Sequence, residues 1–120
     1  MAKILVIEDE PQMRKNILTI LEMEGFDALG AENGRIGLEM IRAHQPHLIL
    51  CDVMMPELDG YGVLKALRAE PAIAEIPFLF LTAKGERADF RAGMNLGADD
   101  YLTKPVVVDD LLNALRVRLK

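Results

Sequence analysis

At 120 residues, the chain has the length of one domain and can bury a single hydrophobic core. Hydrophobic residues make up 51% of it and charged residues 28%, proportions that are typical of soluble globular proteins. The formal net charge of -5 argues against binding to nucleic acid or to an anionic membrane surface, because an acidic surface repels phosphates. We therefore expect one domain over residues 1–120, with neither of these partners.

The sequence shows no pattern of a membrane span or a signal peptide. No run approaches the roughly 18 consecutive apolar residues of a membrane span. The apolar start of the chain stops at Glu8, which is short of the roughly 7 to 15 residues that a signal peptide uses. The single cysteine, Cys51, lies in an apolar run, where we expect it to fill core space. These features predict a reducing, cytoplasmic location.

Five segments have the pattern of β-strands, and they differ in how apolar they are. Three are continuous apolar runs of the kind found in strands buried on both faces, at residues 3–7, in the run that ends at Asp52, and at residues 76–81. The other two, at residues 26–31 and 101–103, are shorter or less apolar. We expect the first three at the centre of a sheet and the last two at its edges.

Segments with helical spacing of apolar residues follow the strands. Capping residues, glycines and prolines mark the ends of five predicted helices. The first runs from Pro11 until Gly25, with Asp9 or Glu10 as its cap, and the second from Asn33 or Gly34 to before Pro46. The others run from Tyr61 to Arg68, from Arg87 to Met94, and from Asp109 or Asp110 onward. Strands that alternate with helices are typically parallel and joined by right-handed crossovers. The predicted fold class is therefore α/β, a three-layer α/β/α sandwich with a five-stranded parallel sheet of order 2-1-3-4-5, as in flavodoxin-like proteins.

Polar residues gather at the carboxyl edge of this predicted sheet. The ends of its strands supply Glu8, Asp9, Asp52, Thr82 and Lys104. Three carboxylates at one point repel one another unless a cation intervenes. Carboxylate oxygens without thiolate or imidazole suit Mg²⁺ or Mn²⁺, with Asp9 and Asp52 as ligands and a backbone carbonyl after Asp52 as a third. Lys104 would add a mobile charge and Thr82 a neutral donor, so the set has the parts that phosphoryl transfer to Asp52 needs.

The segments VIEDE, LILCDVMMPELDG, FLTA and YLTKP together resemble the receiver domain of bacterial two-component response regulators, and the resemblance covers the whole chain. It implies that Asp52 accepts a phosphoryl group from a phosphohistidine of a histidine kinase or phosphotransfer protein, with Mg²⁺ required. It also implies roles around Asp52: Asp9 as metal ligand, Glu8 as its support, directly or through water, Met54 as a backbone-carbonyl ligand, and Lys104 as the phosphate-binding lysine.

The same resemblance implies a switch. Thr82 matches the switch hydroxyl, Tyr101 the aromatic residue whose ring moves inward, and Pro105 a residue that follows a cis peptide bond. The surface of the predicted fourth helix, the fifth strand and the last helix matches the region where receivers form homodimers or meet partners. An alternative for Tyr101 is an edge-strand aromatic residue that packs on the last helix.

Two further pairs of residues flank the site or a helix end. Met54 and Lys84 lie two residues beyond Asp52 and Thr82, where side chains influence the access of hydrolytic water. Because Met54 cannot orient a water, we expect slow self-dephosphorylation, whereas the effect of Lys84 has no clear direction. His44 and His47 flank Pro46 and are interpreted as solvated loop residues rather than a metal pair.

Three other functions are compatible with this fold but fit the residues at its carboxyl edge less well. An aspartate-nucleophile phosphatase normally carries a second acid two residues after the nucleophile, and that residue is Met54. A flavodoxin-like nucleotide binder would have a hydroxyl- or glycine-rich first turn, where this chain has Glu8-Asp9-Glu10. A protein-interaction module that is not phosphorylated leaves the polar edge unexplained. We therefore predict a signalling switch that promotes only its own phosphorylation and dephosphorylation, not an enzyme acting on other substrates.

Overall fold

The structure is a computed structural model that describes residues 2–83, 95 and 97–119. Its five parallel strands form one sheet of order β2-β1-β3-β4-β5, as predicted. The strands are β1 (Lys3–Ile7), β2 (Asp27–Ala31), β3 (Leu48–Asp52), β4 (Phe78–Ala83) and β5 (Asp100–Lys104). β4 begins at Phe78 rather than at Ile76 because Pro77 has no backbone N–H to donate to a ladder.

Four helices are described: α1 (Pro11–Met23), α2 (Gly34–His44), α3 (Gly60–Ala69) and α4 (Val108–Arg118). The predicted helix at residues 87–94 lies outside the described residues, as does Lys84, so α4 is the helix predicted as the last one. Glu10 caps α1, Asn33 caps α2 and Asp59 caps α3, each through a side-chain oxygen that accepts backbone N–H groups.

The last helix begins at Val108, one residue before the predicted start at Asp109 or Asp110. Val107 occupies the N-cap position, and its side chain carries no acceptor. Asp109 and Asp110 lie inside the first turn instead, where their negative charges interact favourably with the positive end of the helix dipole.

Side chains of the central strands alternate between two hydrophobic clusters on opposite faces of the sheet. Leu5, Ile49 and Phe80 pack with residues of α2 and α3 on one face. Ile4 and Leu50 pack with residues of α1 and α4 on the other. The layers are therefore helix, sheet and helix, and the sheet is buried on both faces, which explains the continuous apolar runs in the sequence.

The structure also shows where the cysteine and the two histidines lie. Cys51 is fully buried in the cluster beneath α2 and α3, which confirms its place in the core. His44 ends α2 with an exposed side chain, whereas His47 accepts the backbone N–H of Lys3 through Nδ1 at 2.8 Å and so joins the starts of β1 and β3. Within the described part of the chain, no helix is long and apolar enough to span a membrane.

Candidate functional site at the carboxyl edge

Lys104 brings together three strands at the carboxyl edge of the sheet. From the end of β5, its Nζ lies 2.8 Å from Oε1 of Glu8, just after β1, and 3.0 Å from Oδ2 of Asp52, the last residue of β3. Glu8 is fully buried and Asp52 is only 5% exposed. Burial strengthens the attraction between these charges because little water remains to screen them. The structure thus assembles the predicted lysine and acids at one point.

Asp9 completes a cluster of three carboxylates. One oxygen from each of Glu8, Asp9 and Asp52 lies within 4.8 Å of the others, and this is the one such group of potential metal ligands in the parts of the chain that are described. Partial burial raises the pKa of Asp9, and the neighbouring Glu8 carboxylate raises it further. The cluster therefore holds negative charge that a cation would stabilise.

The surroundings of Glu8 fit a divalent cation. Its backbone N–H donates to the carbonyl of Ala31, and its Oε2 accepts the backbone N–H of Glu10 at 3.2 Å. Its Oε1 is buried and, among the described residues, receives no hydrogen bond of suitable geometry, although the charge of Lys104 is close. A buried carboxylate oxygen in this state, next to two further carboxylates, matches the hard oxygen donors that Mg²⁺ prefers.

The loop after Asp52 is fixed at both ends. Val53 donates its N–H to the carbonyl of Leu81 at 3.2 Å, and Gly60 donates its N–H to the carbonyl of Val53 at 2.9 Å. A side chain at Gly60 would clash with the carbonyl of Asp52, so glycine permits this close approach. Met54, the predicted backbone-carbonyl ligand, lies in this loop with its side chain 61% exposed.

The predicted switch residues lie on β4 and β5. Thr82 is mostly buried and follows Leu81, the residue that pairs with Asp52 in the sheet register. The ring of Tyr101 packs against Phe80 with centroids 5.3 Å apart, in the cluster beneath α2 and α3. Tyr101 also borders a cleft that residues of the last helix line, so the switch role and the alternative of packing on the last helix both stay predictions. The Lys104–Pro105 peptide bond is cis.

Sequence patterns alone did not identify two contacts in this site. One is the ion pair between Glu8 and Lys104, since Glu8 was expected only to support a metal. The other involves Arg14, whose Nη1 donates to the backbone carbonyl of Glu8 at 2.8 Å. Gly30 carried a signal for the second contact, because a glycine inside a strand often marks the close approach of another group.

Known proteins share both the sequence and the fold. The sequence matches the response regulator receiver domain over residues 4–116. It is 41% identical over 120 residues to the DNA-binding dual master transcriptional regulator RpaA of Synechocystis, covering 100% of this chain and 50% of that protein. It is 42% identical over 118 residues to the probable transcriptional regulator ycf27 of Cyanophora paradoxa, covering 98% of this chain and 48% of that protein. The chain thus spans about half the length of these curated relatives.

Two solved structures illustrate the likeness in fold. A putative response regulator from Chloroflexus aurantiacus superposes with a TM-score of 0.94 at 30% identity, covering 98% of this chain and 97% of that one. The receiver domain of the sensor histidine kinase PA1611 from Pseudomonas aeruginosa, with a magnesium ion coordinated in its active site cleft, superposes with a TM-score of 0.90 at 27% identity, again covering 98% and 97%. This chain therefore belongs to the response regulator receiver domain family, which is not a family of enzymes.

Proposed function

We propose that Asp52 is the phosphoacceptor of this receiver domain and takes its phosphoryl group from a phosphohistidine of a histidine kinase or phosphotransfer protein. The observation that carries the proposal is the position of Asp52, buried at the end of a central strand with Lys104 Nζ 3.0 Å from its carboxylate. In the transfer, a carboxylate oxygen of Asp52 forms a bond to phosphorus while the bond between phosphorus and the imidazole nitrogen breaks. The electron pair of that bond returns to the histidine.

Asp9, Asp52 and the backbone carbonyl of Met54 are the proposed ligands of Mg²⁺, with Glu8 beside them in direct contact or through a water. Their close spacing and the missing hydrogen bond at Glu8 Oε1 support this assignment. The magnesium ion in the cleft of the PA1611 receiver domain supports the choice of metal. Mn²⁺ should serve as well, because it accepts the same oxygen ligands. When bound, the ion would neutralise charge on the phosphoryl oxygens.

Lys104 and Thr82 are proposed to bind the phosphoryl group on Asp52 and so to change position when Asp52 is phosphorylated. Phosphorylation of Asp52 turns one negative charge into a phosphoryl group that carries about two, and this group attracts both the lysine charge and a hydroxyl donor. Lys104 already contacts Asp52, and Thr82 lies one residue beyond the strand position beside it. Movement of Thr82 would leave space for the ring of Tyr101 to turn inward, so that activation is a shift between two conformations.

The whole of residues 1–120 is proposed to form one receiver domain that acts in the cytoplasm and catalyses only its own phosphorylation and dephosphorylation. Its acidic net charge argues against direct binding to nucleic acid. Its proposed partner surface consists of β5, α4 and the segment at residues 87–94. On this surface, Val117 has an exposed side chain and lines a cleft that β5 and α4 border. A second copy of the chain is the proposed partner after phosphorylation.

Replacing the carboxylate of Asp52 tests the phosphoacceptor directly. Incubation with acetyl phosphate and Mg²⁺ should add one phosphoryl group to the unaltered chain, and Asp52→Asn should show no addition, because an amide is not a nucleophile here. Intact-protein mass spectrometry measures the addition. Chelation of Mg²⁺ should suppress labelling of the unaltered chain.

The matched control is Asp59→Asn. Asp59 caps α3 and lies near the same loop, and asparagine caps helices as well as aspartate does, so labelling should persist. Phosphoryl addition to Asp52→Asn at the rate of the unaltered chain would contradict the assignment of Asp52. Loss of labelling in both variants would show that the amide change itself disturbs the loop.

A further inference from the structure

Arg14 reaches from α1 to the backbone of the acidic loop. Its Nη1 donates to the carbonyl of Glu8 at 2.8 Å, in a partly buried contact between residues six positions apart. The acceptor is not a carboxylate but the carbonyl of the peptide unit that joins Glu8 to Asp9. A fixed peptide unit sets the direction in which the next side chain leaves the backbone. The contact thus orients Asp9 without touching it.

Gly30 makes room for this reach. It lies in β2 beneath α1, where an added Cβ would be 2.9 Å from Leu18 Cδ1, 3.3 Å from Arg14 Cδ and 3.5 Å from Arg14 Cγ. The aliphatic part of Arg14 therefore lies directly over the backbone of Gly30. A Cβ at this position would press on Leu18 and on that stem, so we expect it to shift Arg14 slightly and to weaken the hydrogen bond to the Glu8 carbonyl.

Three polar groups of Glu8 make hydrogen bonds, and its Oε1 has only the charge of Lys104 beside it. Its N–H donates to Ala31, its carbonyl accepts from Arg14, its Oε2 accepts from Glu10, and its Oε1 faces Lys104. Three of these contacts serve the side chain or tie the backbone to β2. The Arg14 contact is the one that fixes the peptide plane leading into Asp9.

We infer that Arg14, seated on Gly30, is a positioning residue for the divalent cation site of Glu8, Asp9 and Asp52. The inference rests on the proposed function, because it takes the acidic cluster as the Mg²⁺ site. Groups that orient metal ligands typically change metal affinity by about 10- to 100-fold when they are removed. The hydrogen bond of Arg14 to the ligand-bearing loop has this character.

The sign of the effect separates positioning from simple charge. A cation near the cluster repels Mg²⁺, so loss of a positive charge by itself should tighten Mg²⁺ binding. Loss of positioning should weaken it. Arg14→Met keeps most of the aliphatic stem and removes the guanidinium, so the two explanations predict opposite changes. Lys15→Met is the matched control, since the exposed neighbour loses the same charge from the same helix.

The experiment is an NMR titration of the ¹⁵N-labelled 120-residue chain with MgCl₂, which gives the dissociation constant from amide shifts near Asp9 and shows that each variant is folded. Arg14→Met should bind Mg²⁺ about tenfold more weakly than the unaltered chain. Lys15→Met should bind equally or more tightly. Gly30→Ala should weaken binding in the unaltered background and have little further effect in the Arg14→Met background, because both changes remove the same contact.

Each outcome supports or overturns the inference. Equal Mg²⁺ affinity of Arg14→Met and Lys15→Met, or an additive effect of Gly30→Ala in the double variant, would overturn the positioning role while leaving the metal site intact. A metal site at Asp9 requires that the amide shifts near Asp9 saturate with Mg²⁺ in the unaltered chain and that Asp9→Asn abolishes this response. If either result is not obtained, the proposed metal site is wrong, and the inferred role of Arg14 is wrong as well.

Discussion

Lys104 balances an acidic cluster that would otherwise repel itself. Burial alone would lower the pKa of Lys104, but the carboxylates of Glu8 and Asp52 outweigh burial and the net pKa is raised. Lys104 therefore keeps its proton to a higher pH than an isolated lysine does. Its charge is shared between two acids, so a single residue links Glu8, just after β1, to Asp52 at the end of β3, the proposed phosphoacceptor.

Met54 should affect the lifetime of the phosphoryl group through its own side chain. It lies two residues after Asp52, and its exposed thioether cannot orient an attacking water. We predict a phosphoryl half-life on Asp52 longer than seconds, and Met54→Asn should shorten it by roughly threefold to tenfold, less than the hundredfold or more of a positioned general base. Decay after removal of the phosphodonor, followed by mass spectrometry, measures both.

The control for this prediction is Met23→Asn. Met23 is even more exposed, at 79%, and ends α1. The same substitution there should leave the phosphoryl half-life unchanged. A half-life of seconds in the unaltered chain would contradict the expected role of Met54.

At the scale of elements, Arg68 joins α3 to the segments that enter β4 and β5. Its Nη1 donates to the carbonyls of Ala74 and Ile76, and its Nη2 donates to the carbonyl of Gly97 and to Asp99 Oδ2, at distances from 2.8 to 3.2 Å. Its side chain is only 23% exposed. Arg68 therefore supplies donors to carbonyls of irregular segments that no strand or helix ladder serves.

Arg68→Met should lower the free energy of unfolding by about 2 kcal/mol, because several acceptors lose their donor and only the exposed ones regain it from water. Urea denaturation followed by circular dichroism measures the change. Arg35→Met is the control: it removes an exposed ion pair with Glu39 on α2 and should cost no more than about 0.5 kcal/mol. Similar losses in the two variants would contradict the special role of Arg68.

At the scale of the whole molecule, the acidic cluster and the proposed partner surface lie at different parts of the sheet. The acidic cluster lies at the carboxyl ends of β1 and β3, whereas the proposed partner surface begins at the edge strand β5. Lys104 belongs to both regions, since it ends β5 and contacts Asp52. Lys104 is therefore the proposed route by which a charge change at Asp52 would affect the proposed partner surface.

This arrangement predicts that activation produces a dimer. With Mg²⁺ and beryllofluoride as the phosphoryl mimic, the chain should elute as a dimer in size-exclusion chromatography with light scattering. Val117→Asp should keep it monomeric, because Val117 is 58% exposed on α4 and a charge there would be buried without a partner.

Two controls accompany the sizing experiment. Met23→Asp places the same charge on α1, away from the proposed surface, and should dimerise normally. Asp52→Asn should not respond to beryllofluoride. An unaltered chain that stays monomeric with beryllofluoride bound at Asp52 would contradict the homodimer and leave the phosphoacceptor assignment in place.

The sequence by itself determined the sheet and the residues at its edge. Apolar runs that end in Glu8, Asp52 and Thr82 predict buried parallel strands, and parallel strands must bring their carboxyl ends together. That rule placed these residues and Lys104 at one edge of the sheet, and the difference in apolar content between the strands gave their order. At the start of the last helix the prediction was late by one residue, because acidic residues are favoured in the first turn as well as at its cap, and Asp109 and Asp110 lie in that turn.

Only the tertiary structure decided which side chains touch across elements. These contacts depend on how each helix crosses the sheet and on the rotamers of long side chains. They are the hydrogen bond of Arg14 over Gly30 to Glu8, the hydrogen bonds of Arg68 and the ion pair of Glu8 with Lys104. Periodicity records which face of an element is buried, because burial repeats along the chain. A contact between two long polar side chains has no such repeat, and so it becomes visible only when the elements are packed together.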